Sequence, residues 1–149
     1  TYANETSLQE LQELYTRAYD VQSICSLDIG YNLFGEDYKR GAFLVQMNKE
    51  QNTAQNDCRG ELSDYLPNVL TLMAKTKDEE FLTDFVEEML QPALKKMIAN
   101  FIPATIELKE KMYQEKLKTV IDWPKNSKGI FQRPLQTLLH IIEHDFDQR

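Results

Sequence analysis

The chain has 149 residues, 42% of them hydrophobic and 28% charged, and its 24 acidic residues outnumber 17 basic ones to leave a formal charge of −7. Such a composition belongs to one soluble globular domain rather than a disordered tail, and it argues against nucleic acid as the main partner, because Lys and Arg on phosphate anchor a protein there. Only five Gly and five Pro stand among many Leu, Gln, Glu and Lys, which predicts an all-α, single-domain bundle of six to seven helices.

The first helix starts after Ser7, since Ser7-Leu8-Gln9-Glu10 has the S-x-x-E form of a reciprocal cap, and Leu8, Leu11, Leu14, Tyr15 and Ala18 give it one apolar face as far as Asp20. A second apolar segment, Ile24 to Phe34, stops at Gly35, which adopts left-handed backbone at no steric cost. Asp37 caps a third helix through Met47 despite Gly41 within it. Asn48 to Gly60 is polar and reads as the end of that helix followed by a flexible loop. Ser63 or Asp64 is the expected cap of the next helix, whose first turn tolerates Pro67 and which carries Leu66, Val69, Leu70 and Met73.

From Asp78 the longest apolar stripe runs through Phe81, Phe85, Met89, Leu94, Met97 and Phe101 at helical spacing. Pro92 and Pro103 each remove a backbone donor, so kinks or breaks belong near both. A charged helix is expected over Thr105 to Trp123, a turn over Pro124 to Gly129, and a last helix opened by Pro134 and ending near Asp147. No repeat or low-complexity tract is visible. No run approaches the roughly 18 apolar residues of a membrane span, and Thr1–Gln22 lacks a signal-peptide layout, so a cytoplasmic location is expected.

Motifs for chemistry are sparse. His140-Ile141-Ile142-Glu143-His144 spells the inverted zinc-protease signature, which makes a small zinc hydrolase the alternative reading. Helical geometry, however, turns His140 and His144 about 140–180° from the apolar face of Leu135, Leu138, Leu139, Ile142 and Phe146. A third ligand is also needed, and the chain has no third His. No Gly-Lys-Ser/Thr phosphate loop is present, and neither His has the Glu three positions before it that a diiron bundle uses. Cys25 and Cys58 form no CxxC pair; Cys25 reads as a small buried hydrophobe. The sequence therefore predicts no catalytic residue, no metal ligand and no enzyme activity. Asp78 to Glu88 holds six acids and no base, a well-capped helix start that also offers an acidic rim to a basic peptide.

Two segments go beyond composition. Ile29-Gly30-Tyr31-Asn32-Leu33-Phe34-Gly35-Glu36-Asp37-Tyr38-Lys39-Arg40-Gly41 resembles the NarJ-like branch (nitrate reductase delta subunit) of the TorD/DmsD/NarJ molybdoenzyme maturation chaperones, in which an aromatic helix end leads into Gly-acid-x-x-x-Arg-Gly. Glu61-Leu62-Ser63-Asp64-Tyr65-Leu66-Pro67-Asn68-Val69-Leu70 is similar to that family's E-L-P-D-[HY]-L-P-x-x-L signature, with Ser63 in place of the usual Pro. Leu11 to Asp20 resembles its L-x-x-x-Y-x-x-x-F-D run. The similarity covers about Leu8 to Leu90, and family members carry further helices before the position of Leu8.

The resemblance implies a TorD/NarJ-like helical fold and a cytoplasmic chaperone that binds the N-terminal, twin-arginine-like leader of a molybdenum oxidoreductase catalytic subunit, nitrate reductase being the commonest client. It implies no stably bound cofactor, only help in inserting the client's molybdenum cofactor before targeting. Carried onto this chain, the peptide-binding residues are Asp64 and Tyr65, with Tyr31, Phe34, Leu66 and Glu61 beside them. Loss of Asp64 is then expected to weaken binding directly. Gly35, Arg40, Gly41 and Pro67 are read as structural, with Glu61 and Arg40 as a candidate ion pair. The expected partners are that leader peptide, no nucleic acid and no inserted membrane segment. The chain is expected to be a monomer, or a homodimer swapped about a 48–60 hinge; a helical dimeric scaffold is the remaining alternative.

Overall fold

In the computed structural model, which describes residues 2–20, 23–118 and 129–147, every regular element is helical. The helices are α1 (Tyr2–Glu5), α2 (Leu8–Tyr19), α3 (Ile29–Phe34), α4 (Tyr38–Thr53), α5 (Leu66–Lys75), α6 (Glu79–Phe85), α7 (Gln91–Ala99), α8 (Pro103–Leu117) and α9 (Gln132–Phe146), with a π-helical stretch, Val86–Leu90, joining α6 to α7. Among the described residues there is no strand, only an isolated bridge between Asp28 and Tyr65.

Most boundaries have the local cause read from the sequence. Ser7 Oγ accepts from Glu10 N–H at 3.3 Å while the Glu10 carboxylate accepts from Ser7 N–H at 2.9 Å, completing the reciprocal cap of α2. Asp37 caps α4 by accepting from Lys39 N–H, and Asp78 caps α6 by accepting from Phe81 N–H. Gly35 ends α3 at φ +63°, which favours glycine. Pro92 brings a wide π turn instead of a break: the ring needs room against the preceding turn and has no N–H to give, and five π-helical residues precede it. Pro103 does break the helix and opens α8. That helix ends at Leu117 with Lys118 in left-handed conformation, short of the expected Trp123. Trp123 and most of the expected 124–129 turn lie outside the described residues.

Two compact units emerge. The first comprises the described residues within 1–26 and 97–136. Leu14, Ala18, Ile24, Cys25, Phe101, Ile106 and Leu135 are buried in it. Tyr19 packs edge-on against Phe101 and Phe131 with ring centres 5.9 and 5.1 Å apart. Ile24 and Cys25 lie in a connecting loop, so the apolar run from Ile24 divides: only Ile29–Phe34 is helical. Lys109 fastens this loop by donating to the Ile24 carbonyl and, at 2.7 Å, to Asn100 Oδ1. Burial holds its ammonium below the usual lysine range, and it pushes the Cys25 thiol up to about 12. At neutral pH that thiol is un-ionised and unreactive.

The second unit comprises the described residues within 27–96 and 137–149. Its core is Ile29, Met47, Val69, Leu72, Phe85, Val86, Leu90, Leu94 and Ile142. Here α3 packs on both α4 and the π stretch. The polar run from Asn48 does begin as the end of α4, which continues to Thr53, but it departs from a flexible surface loop in that two of its amides are buried. Gln51 Nε2 donates to the Ser63 carbonyl at 2.8 Å, and Asn56 Nδ2 donates to Gln51 Oε1 at 2.7 Å and to the Asn68 carbonyl at 3.1 Å. Polarity in this segment satisfies buried backbone groups and ties the connection to α5, because an unpaired buried amide is costly.

Candidate functional site

The segments 29–41 and 61–70 meet inside the second unit, with Asp64 at their junction. Its Oδ2 accepts from Gly30 N–H at 2.8 Å, and its carbonyl accepts from Ile29 N–H at 3.0 Å. Leu66 N–H donates to the Leu27 carbonyl at 2.9 Å, continuing the attachment one step further. The first two bonds give the opening N–H groups of α3, and the third gives that of α5, the acceptors that helix N–H groups otherwise lack. Close approach requires Gly30: a Cβ there would lie 2.8 Å from both Asp64 Oδ2 and Phe43 Cδ1.

Asp64 is 0% exposed, which corrects its expected place on a peptide-facing surface. Neither does it cap α5; that position is Tyr65, with no side-chain cap bond. Ser63 does not cap either, since its hydroxyl donates to the Leu44 carbonyl at 3.4 Å. The reason is common to both: partners distant in sequence use the oxygens that the local pattern assigned to the next helix. Burial pushes the Asp64 carboxyl above its usual range, with Asp28 adding to the shift, while the Gly30 N–H and the Arg40 charge oppose it. Its Oδ1 is buried and accepts no hydrogen bond among the described residues.

Leu66 is also buried, at 5% exposure, so it belongs to the core and not to a contact surface. Tyr31 is 43% exposed, Glu61 is exposed, and Tyr65 and Phe34 are half-buried. Phe34 packs against Phe43 with ring centres 5.7 Å apart. Pro67 sits exposed in the first turn of α5, as expected. Gly41 lies exposed inside α4, and a Cβ added to it would meet nothing within 4 Å, so neither backbone shape nor close approach requires it. Arg40 pairs with Asp28, not Glu61: its Nη2 donates to Asp28 Oδ2 at 3.1 Å. Its guanidinium carbon lies 5.3 Å from the centre of the Tyr31 ring.

Sequence reasoning missed Asp28 and Gly30. The first lies within the apolar segment Ile24 to Phe34, where no helix start is expected, and the second carries no turn signal. Leu62, 45% exposed beside Glu61, adds an apolar group to the same segment. An open cleft of about 720 Å³ in this unit, lined by Glu50, Thr53, Lys75, Lys77 and Asp78, contains none of these residues and mixes charges of both signs.

On α9, His140 and His144 are exposed, Glu143 pairs with Lys95 at 3.2 Å, and His144 lies 3.4 Å from Asp145. Among the described residues no three His, Cys, Asp or Glu side chains are grouped to hold a metal ion, and no helix is long and apolar enough to cross a membrane. Compared with protein-family models, curated proteins and solved structures, the chain matches none.

Proposed function

We propose that this chain is a binding protein without turnover, a cytoplasmic helical maturation chaperone of the TorD/DmsD/NarJ kind that holds the N-terminal leader of a molybdenum oxidoreductase catalytic subunit during cofactor insertion. One observation carries the reading: the two segments with the family resemblance, separated in sequence, are bonded to each other through Asp64, Gly30 and Ile29. A joint of that kind makes the shared residues parts of one local structure. Around it stand accessible aromatic, apolar and acidic groups, namely Tyr31, Phe34, Tyr65, Leu62 and Glu61. Such a set suits a basic-then-apolar peptide, whose cations seek carboxylates while its apolar residues seek rings. The contacting role passes to these groups; Asp64 and Leu66 hold the frame beneath them. The overall negative charge favours encounter with a cationic leader.

The test is fluorescence anisotropy with a labelled twin-arginine leader peptide of a nitrate reductase catalytic subunit, against a scrambled peptide of equal composition. The expected result is binding near micromolar or tighter, on the order of −8 kcal/mol, weakened by salt and absent for the scrambled peptide. Equal affinity for both peptides, or none for either, overturns the reading.

A further inference from the structure

Asp28 precedes α3, where an Asp side chain ordinarily accepts a backbone N–H of the first turn. It makes no such bond here. Its carboxylate instead accepts from Arg40, whose guanidinium also lies near the Tyr31 ring. A carboxylate set beside an aromatic face is the arrangement by which proteins recognise arginine, joining a charge-assisted hydrogen bond to a cation–π contact. The place is reachable from solvent, since the Asp28 side chain is 26% exposed and Tyr31 43%.

Arg40 fills this place incompletely. One nitrogen, Nη2, reaches Asp28, while Nε is buried with no hydrogen-bond partner among the described residues. Asp64 Oδ1 is an acceptor in the same condition, and the charges of Asp64 and Arg40 act on each other. One guanidinium thus has two carboxylates within electrostatic reach, and the inner one keeps an oxygen open. A turn of Arg40 away from Asp28 and toward Asp64 is the movement that would bring these two unpartnered atoms toward each other.

We propose that Asp28 and Tyr31 form a subsite for an arginine side chain of the bound peptide, and that Arg40 is its built-in occupant, turning toward Asp64 when the peptide's arginine takes Asp28. This deepens the leader-binding reading and rests on it: the leader's arginine is recognised by exchange with one the protein already carries. Arg40 is accordingly a competitor for the site, a role with the opposite mutational sign from that of a supporting residue.

The experiment compares the labelled leader peptide with a copy in which each arginine is citrulline, the neutral isostere. Arg40→Gln is expected to tighten binding of the arginine peptide about fivefold by removing the competitor, leaving the citrulline peptide unchanged. Asp28→Asn is expected to weaken the arginine peptide about tenfold, so that the two peptides bind alike. Should circular dichroism show Arg40→Gln to be misfolded, Arg40→Lys replaces it, keeping charge and stem without the planar fork, and a smaller tightening is expected. Unchanged or weaker binding of the arginine peptide by the folded Arg40 variant overturns the proposal. Equal binding of both peptides by the wild-type chain overturns the subsite but leaves leader binding standing. No binding of either peptide by wild type and variants overturns both.

Discussion

Lys109, in the unit containing α2 and α8, sends its half-buried ammonium to the Ile24 carbonyl and to Asn100 Oδ1. Asp64, in the unit containing α3 to α6, is fully buried; its Oδ2 accepts from Gly30 N–H, while its Oδ1 and Arg40 Nε have no hydrogen-bond partner among the described residues. The first arrangement fastens a loop to a helix. The second fastens two segments and keeps unused hydrogen-bonding capacity next to a solvent-accessible aromatic ring. Buried polar groups are usually paired, so an unpartnered acceptor and an unpartnered donor whose charges act on each other mark a place where a second arrangement is available. By this contrast Asp28, Tyr31 and Arg40 make up the candidate site, whereas Lys109 serves stability.

Substitutions can break each side of that contrast in turn. The largest effect is expected at the junction: Gly30→Ala forces a Cβ against Asp64 and Phe43 and should destabilise the chain by about 2–3 kcal/mol in urea denaturation. A change within about 0.5 kcal/mol would mean the junction yields easily. Lys109→Met should cost about 1–3 kcal/mol by leaving two acceptors without their donor, without altering peptide affinity. A loss of affinity there would dissolve the distinction between the two regions.

Acidity probes the junction more gently. A carboxyl raised above its ordinary value of 3.8 holds its proton more tightly folded than unfolded. Its stabilising contribution is therefore complete below that value and lost as pH rises through the raised one. Asp64→Asn keeps an oxygen for Gly30 N–H but does not titrate, so the stability of wild type relative to this variant should fall as pH rises across the acid range. A difference independent of pH contradicts the burial of a titrating Asp64. The smallest effect belongs to Gly41, exposed inside α4 and constrained by nothing around it. Gly41→Ala should stabilise by up to about 1 kcal/mol, read from the thermal midpoint.

What could be read from sequence alone followed the range of the interaction. Ser7 with Glu10, Asp37 with Lys39, and Asp78 with Phe81 act within one helical turn, and their sequence patterns therefore locate the helix starts. Asp64 lies beside a helix start as well, but its side-chain partner Gly30 is 34 positions away, a pairing that local spacing cannot express. Gln51 and Asn56 looked like loop surface because polarity predicts exposure; they are buried because each amide meets backbone carbonyls or the other amide. Of the site residues, Tyr31, Arg40 and Glu61 came from the resembling segments. Asp28 did not, since its link to Arg40 spans 12 positions and replaces the cap bond its position suggests.

Backbone amide NMR of the full chain, titrated with the leader peptide, tests the claim that this junction is the peptide-binding site. The largest shifts are predicted for residues 28–40 and 61–66, with Lys109 and its neighbours unmoved. Shifts concentrated on α8 or α9 with residues 28–40 silent, or no shifts under peptide excess, would contradict it.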